Sequence, residues 1–316
     1  MKDVDVAIVG AGVAGLTAAM VVGAHGCKVA AVDQTGVGGQ ISNVERILNW
    51  PGHPDGMGGH ELGPLLHQQA EAAGAEIVLD TVEVIEPVEQ HFVVRGAAEV
   101  LRARAVIIAA GSTLRPLGIP GEEKFRGKGV SHCASCDGAL FAGREVCVIG
   151  GGDSALDEAL VLAQHAARVT LFHRGADLDA QQALRQRIAA GANIEIVLDT
   201  VVEEILGTGT VTGVRLCAGG TTRVHETAGV FIYVGLKPNT LFLRGLVALD
   251  SNGHIETDAS MRTSVPGIFA AGDIRTSSVA LLASAAGDGA TAAVSAFRYL
   301  DGGRIVAATN SRGSPP

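Results

Sequence analysis

Cys133-Ala134-Ser135-Cys136-Asp137-Gly138 carries the most reactive chemistry in this chain. Two thiols separated by two residues can close a small, reducible disulfide ring, and the neighbouring sulfur lowers the attacking thiol's pKa. A lone CxxC can also be half a zinc site or a pair of incidental core cysteines. Zinc needs a second Cys or His pair at ligand spacing. None follows, so no metal is expected. His132 directly precedes Cys133 and is a candidate proton partner. An imidazolium lowers a neighbouring thiol's pKa and a neutral imidazole can take its proton, although adjacent side chains often point apart. The other nine histidines show no ligand spacing. Cys27, Cys147 and Cys217 lie in or beside apolar runs and read as small buried hydrophobes.

The elements that must position this dithiol are two copies of one plan. Val4–Val9 reads as a buried strand, Gly10-Ala11-Gly12-Val13-Ala14-Gly15 as a turn, Gly15–Ala24 as a helix and Lys28–Asp33 as a second strand. In such a unit Gly10 allows the tight turn, Gly12 close backbone approach to a pyrophosphate, and Gly15 helix–strand contact. The helix N-terminus then faces the phosphates with its dipole. Asp33 closes the second strand about 20 residues on, where an acid accepts ribose hydroxyl bonds. The plan recurs as strand Glu145–Ile149, turn Gly150–Ala155, a helix to about Gln164 and strand Arg168–Phe172. Between the two units a helix is expected near Glu61–Ala73, then β-structure from Glu76 to Ala109 running into Ala110-Gly111. Short strands fill 194–233, and an Ala-rich helix is expected over about Ala280–Leu300, with a disordered tail Asn310–Pro316.

Arg115–Gly121 has the Pro/Gly content of an interdomain crossing, and the chain crosses back near Leu236–Arg244. The fold class is therefore α/β, with two Rossmann-like dinucleotide-binding domains, the second inserted into the first. The domains are 1–114 with 244–316, and 115–243 carrying the dithiol. Two dinucleotide folds flanking a redox dithiol describe a flavin disulfide oxidoreductase.

Composition agrees with an enzyme of this kind. The 316 residues suggest about two domains, and 47% hydrophobic residues can fill two cores. A formal charge of −9 argues against a nucleic-acid or anionic-membrane surface. No stretch reaches membrane-spanning length, and Val4–Val9 is too short for a signal-peptide core. With five cysteines and no export signal a reducing cytoplasm is expected, where a disulfide is usually catalytic.

At this point the chain resembles the low-molecular-weight thioredoxin reductase family over nearly its whole length. The resemblance rests on GAGVAG at 10–15, Gly38-Gly39-Gln40, Asn49-Trp50-Pro51-Gly52, the CxxCDG and Gly150-Gly151-Gly152-Asp153-Ser154-Ala155. Thr263-Ser264-Val265-Pro266-Gly267 and Ala271-Gly272-Asp273 complete it. It implies a homodimer with FAD in the first, discontinuous domain and a nicotinamide-type domain inserted. It assigns Cys136 to face the flavin, Cys133 to exchange with substrate, and Asp137 as the nearby acid or base. It places Ala14, Gly39, Gln40, Asn49, Ala110, Gly111, Gly272, Asp273, Ala280 and Leu281 at the flavin nucleotide, beside Gly10, Gly12, Gly15 and Asp33.

Two departures bear on function. NADPH-using members carry His-Arg-Arg-x-x-x-Arg where this chain has His173-Arg174-Gly175-Ala176-Asp177-Leu178-Asp179. A charge-assisted hydrogen bond is worth about 1.5–3 kcal/mol, so losing two weakens 2′-phosphate binding roughly 100-fold to 10,000-fold. NADH is not favoured either, because His173 replaces the acid that a free ribose would prefer. Secondly, Val279-Ala280-Leu281 stands where family reductases have Tyr-Arg-Gln. These departures favour an NADPH-independent dithiol oxidase. Such an enzyme closes a disulfide in a small-molecule dithiol and passes electrons through FAD to oxygen, releasing hydrogen peroxide. The resemblance here is to the enzymes of gliotoxin, holomycin and bicyclic depsipeptide biosynthesis. The alternative is a thioredoxin reductase, NADPH- or ferredoxin-fed, acting on a thioredoxin-like protein.

Overall fold

A computed structural model describes residues 1–302; the predicted tail Asn310–Pro316 lies outside them. The chain divides into two compact units, Met1–Ser112 with the chain from Pro238 on, and Thr113–Lys237. The crossings thus fall at Ser112/Thr113 and Lys237/Pro238 rather than at 114/115 and 243/244. The reason is local. Asn239 binds into the first unit, its side chain donating to the Ala110 carbonyl (2.8 Å) and its N–H to that of Gly111 (3.1 Å).

In the first unit, strand Lys2–Val9 lies between Val29–Asp33 and Val100–Ile108, parallel to both, with Glu76–Leu79 outside Val29–Asp33. Along its far edge Val100–Ile108 pairs twice. Residues 100–103 run antiparallel to His91–Gly96, and 106–108 run parallel to Ile268–Ala270. The period of two along the central strand decides which core each side chain enters. Val6 and Ile8 pack on one face with helices Val13–Ala24 and Leu282–Leu300, while Ala7 and Val9 enter the opposite core with Ile108 and Ile268. Strands buried on both faces read as continuous apolar runs, which is why they are legible in sequence.

The second unit repeats the plan on a smaller scale. Its parallel sheet runs in the order Ile194–Val197, Arg168–Phe172, Glu145–Ile149, Gly229–Ile232, Val130–Ser131. A three-stranded antiparallel sheet, Val201–Gly207, Val211–Ala218 and Thr221–Glu226, packs on it through Val202, Ile205, Val214 and Leu216. Val146 and Val148 face the helical side, Cys147 and Ile149 the other. The expected α/β class with Rossmann-like sheets is the observed one.

Two helices differ from expectation. Gln182–Ala189 has no counterpart in the sequence reading; it is short, with a low mean hydropathy, and buries only Ile188. The final helix begins at Leu282 rather than Ala280. Ala280 has φ +51° and Leu281 is extended, so the chain turns through a left-handed residue before the helix starts. Among the described residues no helix is long and apolar enough to cross a membrane, and no cluster of three metal-ligating side chains occurs.

Candidate dithiol and dinucleotide sites

Cys133 and Cys136 form a disulfide, with Cα atoms 5.3 Å apart. The geometry is set by a one-turn helix, Ala134–Asp137, for which Cys133 is the N-cap. Its sulfur accepts the Cys136 N–H at 3.1 Å, a bond that favours the thiolate once the disulfide opens. Cys136 is exposed and Cys133 partly buried. Asp137 follows on the same turn. Its carboxylate accepts the Ser131 hydroxyl at 2.6 Å, and the same Ser131 oxygen accepts the Cys133 N–H at 3.1 Å. Ser131 thus ties the acid to the first cysteine. Sequence reasoning missed it, although a serine two residues before a CxxCD was a readable signal. His132 is a different matter. It is half-buried and makes no hydrogen bond among the described residues, and burial followed by the Arg126 charge holds its pKa below the ordinary value. A standing imidazolium beside the thiols is therefore disfavoured. Cys147 is fully buried, with its thiol pushed up to about 12, and burial also raises Cys27. Both behave as the small hydrophobes expected.

The dinucleotide-type residues of the first unit gather at the carboxyl ends of its parallel strands, where open α/β sheets bind ligands. Gly10 has φ +105°, and a Cβ there would lie 2.3 Å from the Ala109 carbonyl. A Cβ on Gly15 would lie 1.9 Å from the Gly10 carbonyl. The protein itself requires both glycines. Gly12 differs. Its backbone is extended, and an added Cβ would meet nothing closer than 3.9 Å. Packing does not require a glycine there; glycine is a favoured N-cap, and the open backbone leaves room for a group such as a pyrophosphate to approach, so the residues fit one. Gly39 stacks on Gly12, with its would-be Cβ 3.1 Å from the Gly12 Cα.

Asp33 binds the turn as well as facing its ligand side. Its Oδ2 accepts the Ala11 N–H (2.8 Å), and its Oδ1 accepts from Thr35 (2.8 Å) and Gly36 (3.1 Å). Gln40 donates to the Ser112 carbonyl at 2.9 Å, and Asn49 is exposed. Ala110 and Gly111 are half-buried and held by Asn239. Ala14 is buried and supports the site from beneath, its carbonyl 2.2 Å from where a Gly289 Cβ would sit.

Gly272 has φ +77° and donates its N–H to Asp288, which also holds Arg275 in a two-pronged pair at 2.6 and 2.8 Å. Asp273 is mostly buried, and burial raises its pKa while the Ser278 hydroxyl at 2.9 Å opposes the rise. Ala280 and Leu281 are exposed, so this rim is apolar where the family pattern is charged. A separate open cleft of about 690 Å³ is lined by His53, Met57, His60, Glu61, Pro64 and Leu65. None of the residues assigned to the nucleotide lines it.

The two glycines of the first turn give a clean test. Gly12→Ala is expected to cost the flavin-stripped protein no more than about 1 kcal/mol, the preference for glycine over alanine at an N-cap. Overpacking against the nucleotide, up to about 3 kcal/mol, would weaken FAD binding as much as about 100-fold. Gly15→Val should instead destabilise the stripped protein itself. Equal effects from the two variants would refute the distinction.

In the second unit the same logic separates the glycines. Gly150 has φ +150°, and its Cβ would sit 2.2 Å from the Tyr233 carbonyl. Gly151 is required by His173, whose ring would be 2.3 Å from a Cβ. Gly152 has extended backbone and nothing within 4 Å of a Cβ. The opening found at Gly12 is repeated. Beside it, the Asp179 N–H donates to the Gly151 carbonyl at 2.8 Å and its backbone bridges Gly152. The Asp179 side chain is exposed at the rim, 4.0 Å from His173 Nε2.

Known proteins agree with this geometry. A family model described as pyridine nucleotide-disulphide oxidoreductase matches residues 4–289. The chain is 40% identical over 303 residues to a thioredoxin reductase of Listeria monocytogenes, covering 95% of each. It is 38% identical over 304 residues to that of Bacillus subtilis, covering 95% of this chain and 96% of the relative. Among solved structures, thioredoxin reductase of Lactococcus lactis superposes with a TM-score of 0.93 at 38% identity, covering 95% of this chain and 99% of that one. The chain belongs to the low-molecular-weight thioredoxin reductase family of pyridine nucleotide-disulphide oxidoreductases.

Proposed function

We propose that this protein is an FAD-dependent disulfide reductase that takes electrons from a nicotinamide nucleotide and reduces a thioredoxin-like protein. The dithiol oxidase favoured by the sequence departures becomes the second reading. The observation that tips the balance is Gly152. Glycine is favoured at an N-cap in any case, but here it repeats the open turn of the first unit at the end of the matching strand, which leaves room for a second dinucleotide. Relatives at 38–41% identity named thioredoxin reductase support the same direction, and the family's homodimer is proposed with it.

FAD would be held by the Gly10–Gly15 turn, Asp33 and Gly272-Asp273, and when bound would supply a centre that accepts a hydride and passes electrons singly or in pairs. The chain's own residues do the rest. In the reduced enzyme Cys133 Sγ attacks the partner's disulfide, forming a mixed disulfide and releasing one partner sulfur. Cys136 Sγ then attacks Cys133 Sγ, the second partner sulfur leaves, and the enzyme disulfide is restored. We assign Asp137, whose carboxylate accepts the Ser131 hydroxyl, as the acid that serves the leaving thiolate.

The second reading keeps one specific support. Gly175 and Asp179 replace phosphate-binding arginines, and Val279, Ala280 and Leu281 leave an apolar, exposed rim. Anaerobic titration of the flavin band decides between them. Nicotinamide nucleotide should bleach the flavin, thioredoxin disulfide should restore it, and Gly152→Val should abolish the bleaching without unfolding the protein. Bleaching by a small dithiol alone, with peroxide on readmission of oxygen and no response to either nucleotide, would establish the oxidase.

A further inference from the structure

Behind the disulfide, within the same unit, sits a carboxylate that the exchange steps do not use. Glu158 lies on helix Asp153–Leu162, three residues after Ala155 and four before Leu162, both buried in the unit's core. Helical periodicity therefore turns Glu158 towards the inward face, where an acid is out of place. Its Oε2 accepts the Ala134 N–H at 2.8 Å, the peptide that directly follows Cys133. Tyr233 follows strand Gly229–Ile232 and lies against Glu158, only 6% exposed. Its hydroxyl is shielded from solvent and makes no hydrogen bond of normal geometry among the described residues. It still bears on Glu158 as a hydrogen-bond partner, and a hydroxyl there can donate to a carboxylate or accept from a carboxylic acid, so it suits a neighbour that changes protonation state.

The other charges facing this pair are few. Asp157 acts on Glu158 and is itself paired with Arg187 at 3.7 Å, while Asp137 acts on Tyr233. Burial raises the Glu158 pKa, with the Ala134 N–H and then the Tyr233 hydroxyl opposing the rise and the Asp157 charge adding to it. Burial and then the Glu158 charge push Tyr233 up as well, so the phenol stays protonated.

We propose that Glu158 holds the proton balance of the Cys133–Cys136 pair, taking up a proton when the disulfide is reduced and releasing it when the disulfide re-forms. The physical reason is like-charge repulsion in a poorly solvated place. Opening the disulfide creates a thiolate one peptide away from the carboxylate, and two negative charges there favour protonating one of them. With a small dithiol as reductant the step balances. The two S–H hydrogens of the donor leave as protons and its sulfurs join, while its two electrons break the Cys133–Cys136 bond. One proton goes to one enzyme sulfur and the other to Glu158. The second sulfur remains a thiolate, and the net charge of the site is unchanged. Glu158 acts through the Ala134 peptide and through space, so it is a positioning residue.

The test uses the full-length holoprotein, reduced anaerobically with dithiothreitol and freed of it. Iodoacetamide labelling of Cys133 and Cys136 is then followed by mass spectrometry between roughly pH 5 and 9. In the wild type the thiolate and Glu158 titrate together, so the rate should rise in two coupled steps. Glu158→Gln still accepts the Ala134 N–H but carries no charge. Its profile should collapse to one step at lower pH, with labelling near neutrality about 3-fold to 10-fold faster. Infrared difference spectra provide a second readout that does not depend on the variant's stability. Reduction of the wild type should generate a protonated-carboxyl band, which is absent in Glu158→Gln. An unchanged labelling profile in folded Glu158→Gln, or no carboxyl band in the wild type, overturns the proposal. The inference rests on the disulfide being redox-active. A disulfide that dithiothreitol cannot open would defeat that reading instead, and the labelling yield distinguishes the two failures.

Discussion

Cys133→Ser, Cys136→Ser and the double variant should all lose turnover by about the same factor, on the order of 1,000-fold or more, because groups acting as one unit are not additive. Each cysteine is the other's leaving group. Without Cys136 a mixed disulfide on Cys133 cannot resolve, and without Cys133 there is no N-cap sulfur to start the exchange. The loss should not come from unfolding. A cross-link spanning a sequence separation of 3 closes a very short loop. In the chain-entropy model its removal costs only about 2 kcal/mol, against a usual total of about 5–15 kcal/mol. Circular dichroism and bound flavin should therefore match the wild type. A single-serine variant that retains a tenth of wild-type turnover would remove the disulfide from the catalytic cycle. Loss of flavin from either variant would mean that the sulfurs also support the cofactor site.

The parts of the fold that were legible are those where one local requirement dominates. Strands such as Glu145–Ile149 and Arg168–Phe172 carry apolar residues on both faces, and their observed ends coincide with the reading. Gly10 and Gly150 were legible because left-handed or tightly packed backbone admits little else. The misread parts depend on tertiary context. The last helix looks continuous from Ala280, since alanine and leucine favour helices. Yet Ala280 is left-handed, a conformation that costs a non-glycine residue about 1–2 kcal/mol; its N–H donates to Ser278, which Asp273 holds in turn, a partner the helix pattern does not reveal. The domain crossing slipped to Lys237/Pro238 because Asn239 finds its partners in Ala110 and Gly111, more than a hundred residues away in sequence.

At the site the same division holds. The dithiol and the glycine turns announce themselves by spacing, whereas Ser131 and Glu158 act through hydrogen bonds to backbone atoms of other elements. Spacing did assign Gly12 to the approach of a pyrophosphate, but it could not show that Gly152 leaves the same room in the second unit. That fact changes the weight given to His173–Asp179. Sequence comparison alone makes the missing arginines look like loss of a nucleotide site. With the turn's opening intact beside them, the same residues look like loss of selection between nucleotides.

Gly175→Arg with Asp179→Arg should therefore tighten NADPH binding roughly 100-fold to 10,000-fold, the worth of two charge-assisted hydrogen bonds, while NADH binding changes by no more than about 3-fold. The positions can accept the change. Asp179 is exposed and its backbone is fixed to the turn through Gly151 and Gly152, so a longer side chain there starts from a held point. At Gly175 the backbone is not left-handed, and a Cβ would press on the His173 ring, 2.8 Å from Nε2 and 3.3 Å from Cδ2, so that ring must give by a few tenths of an ångström. Arg174 is already exposed on the same loop, and Asp177 is held by Arg185 at 3.0 and 3.1 Å. The measurement is anaerobic flavin bleaching against the concentration of each nucleotide, in the unmodified enzyme and in the double variant. A salt series strengthens it, because a charge-based gain at an exposed rim must shrink as ionic strength rises. If the unmodified enzyme already saturates with micromolar NADPH and the arginines add nothing, the 2′-phosphate is recognised by other residues and this loop is not the selector. If neither protein responds to any nucleotide, the opening at Gly152 serves no dinucleotide, and the oxygen-coupled reading takes precedence.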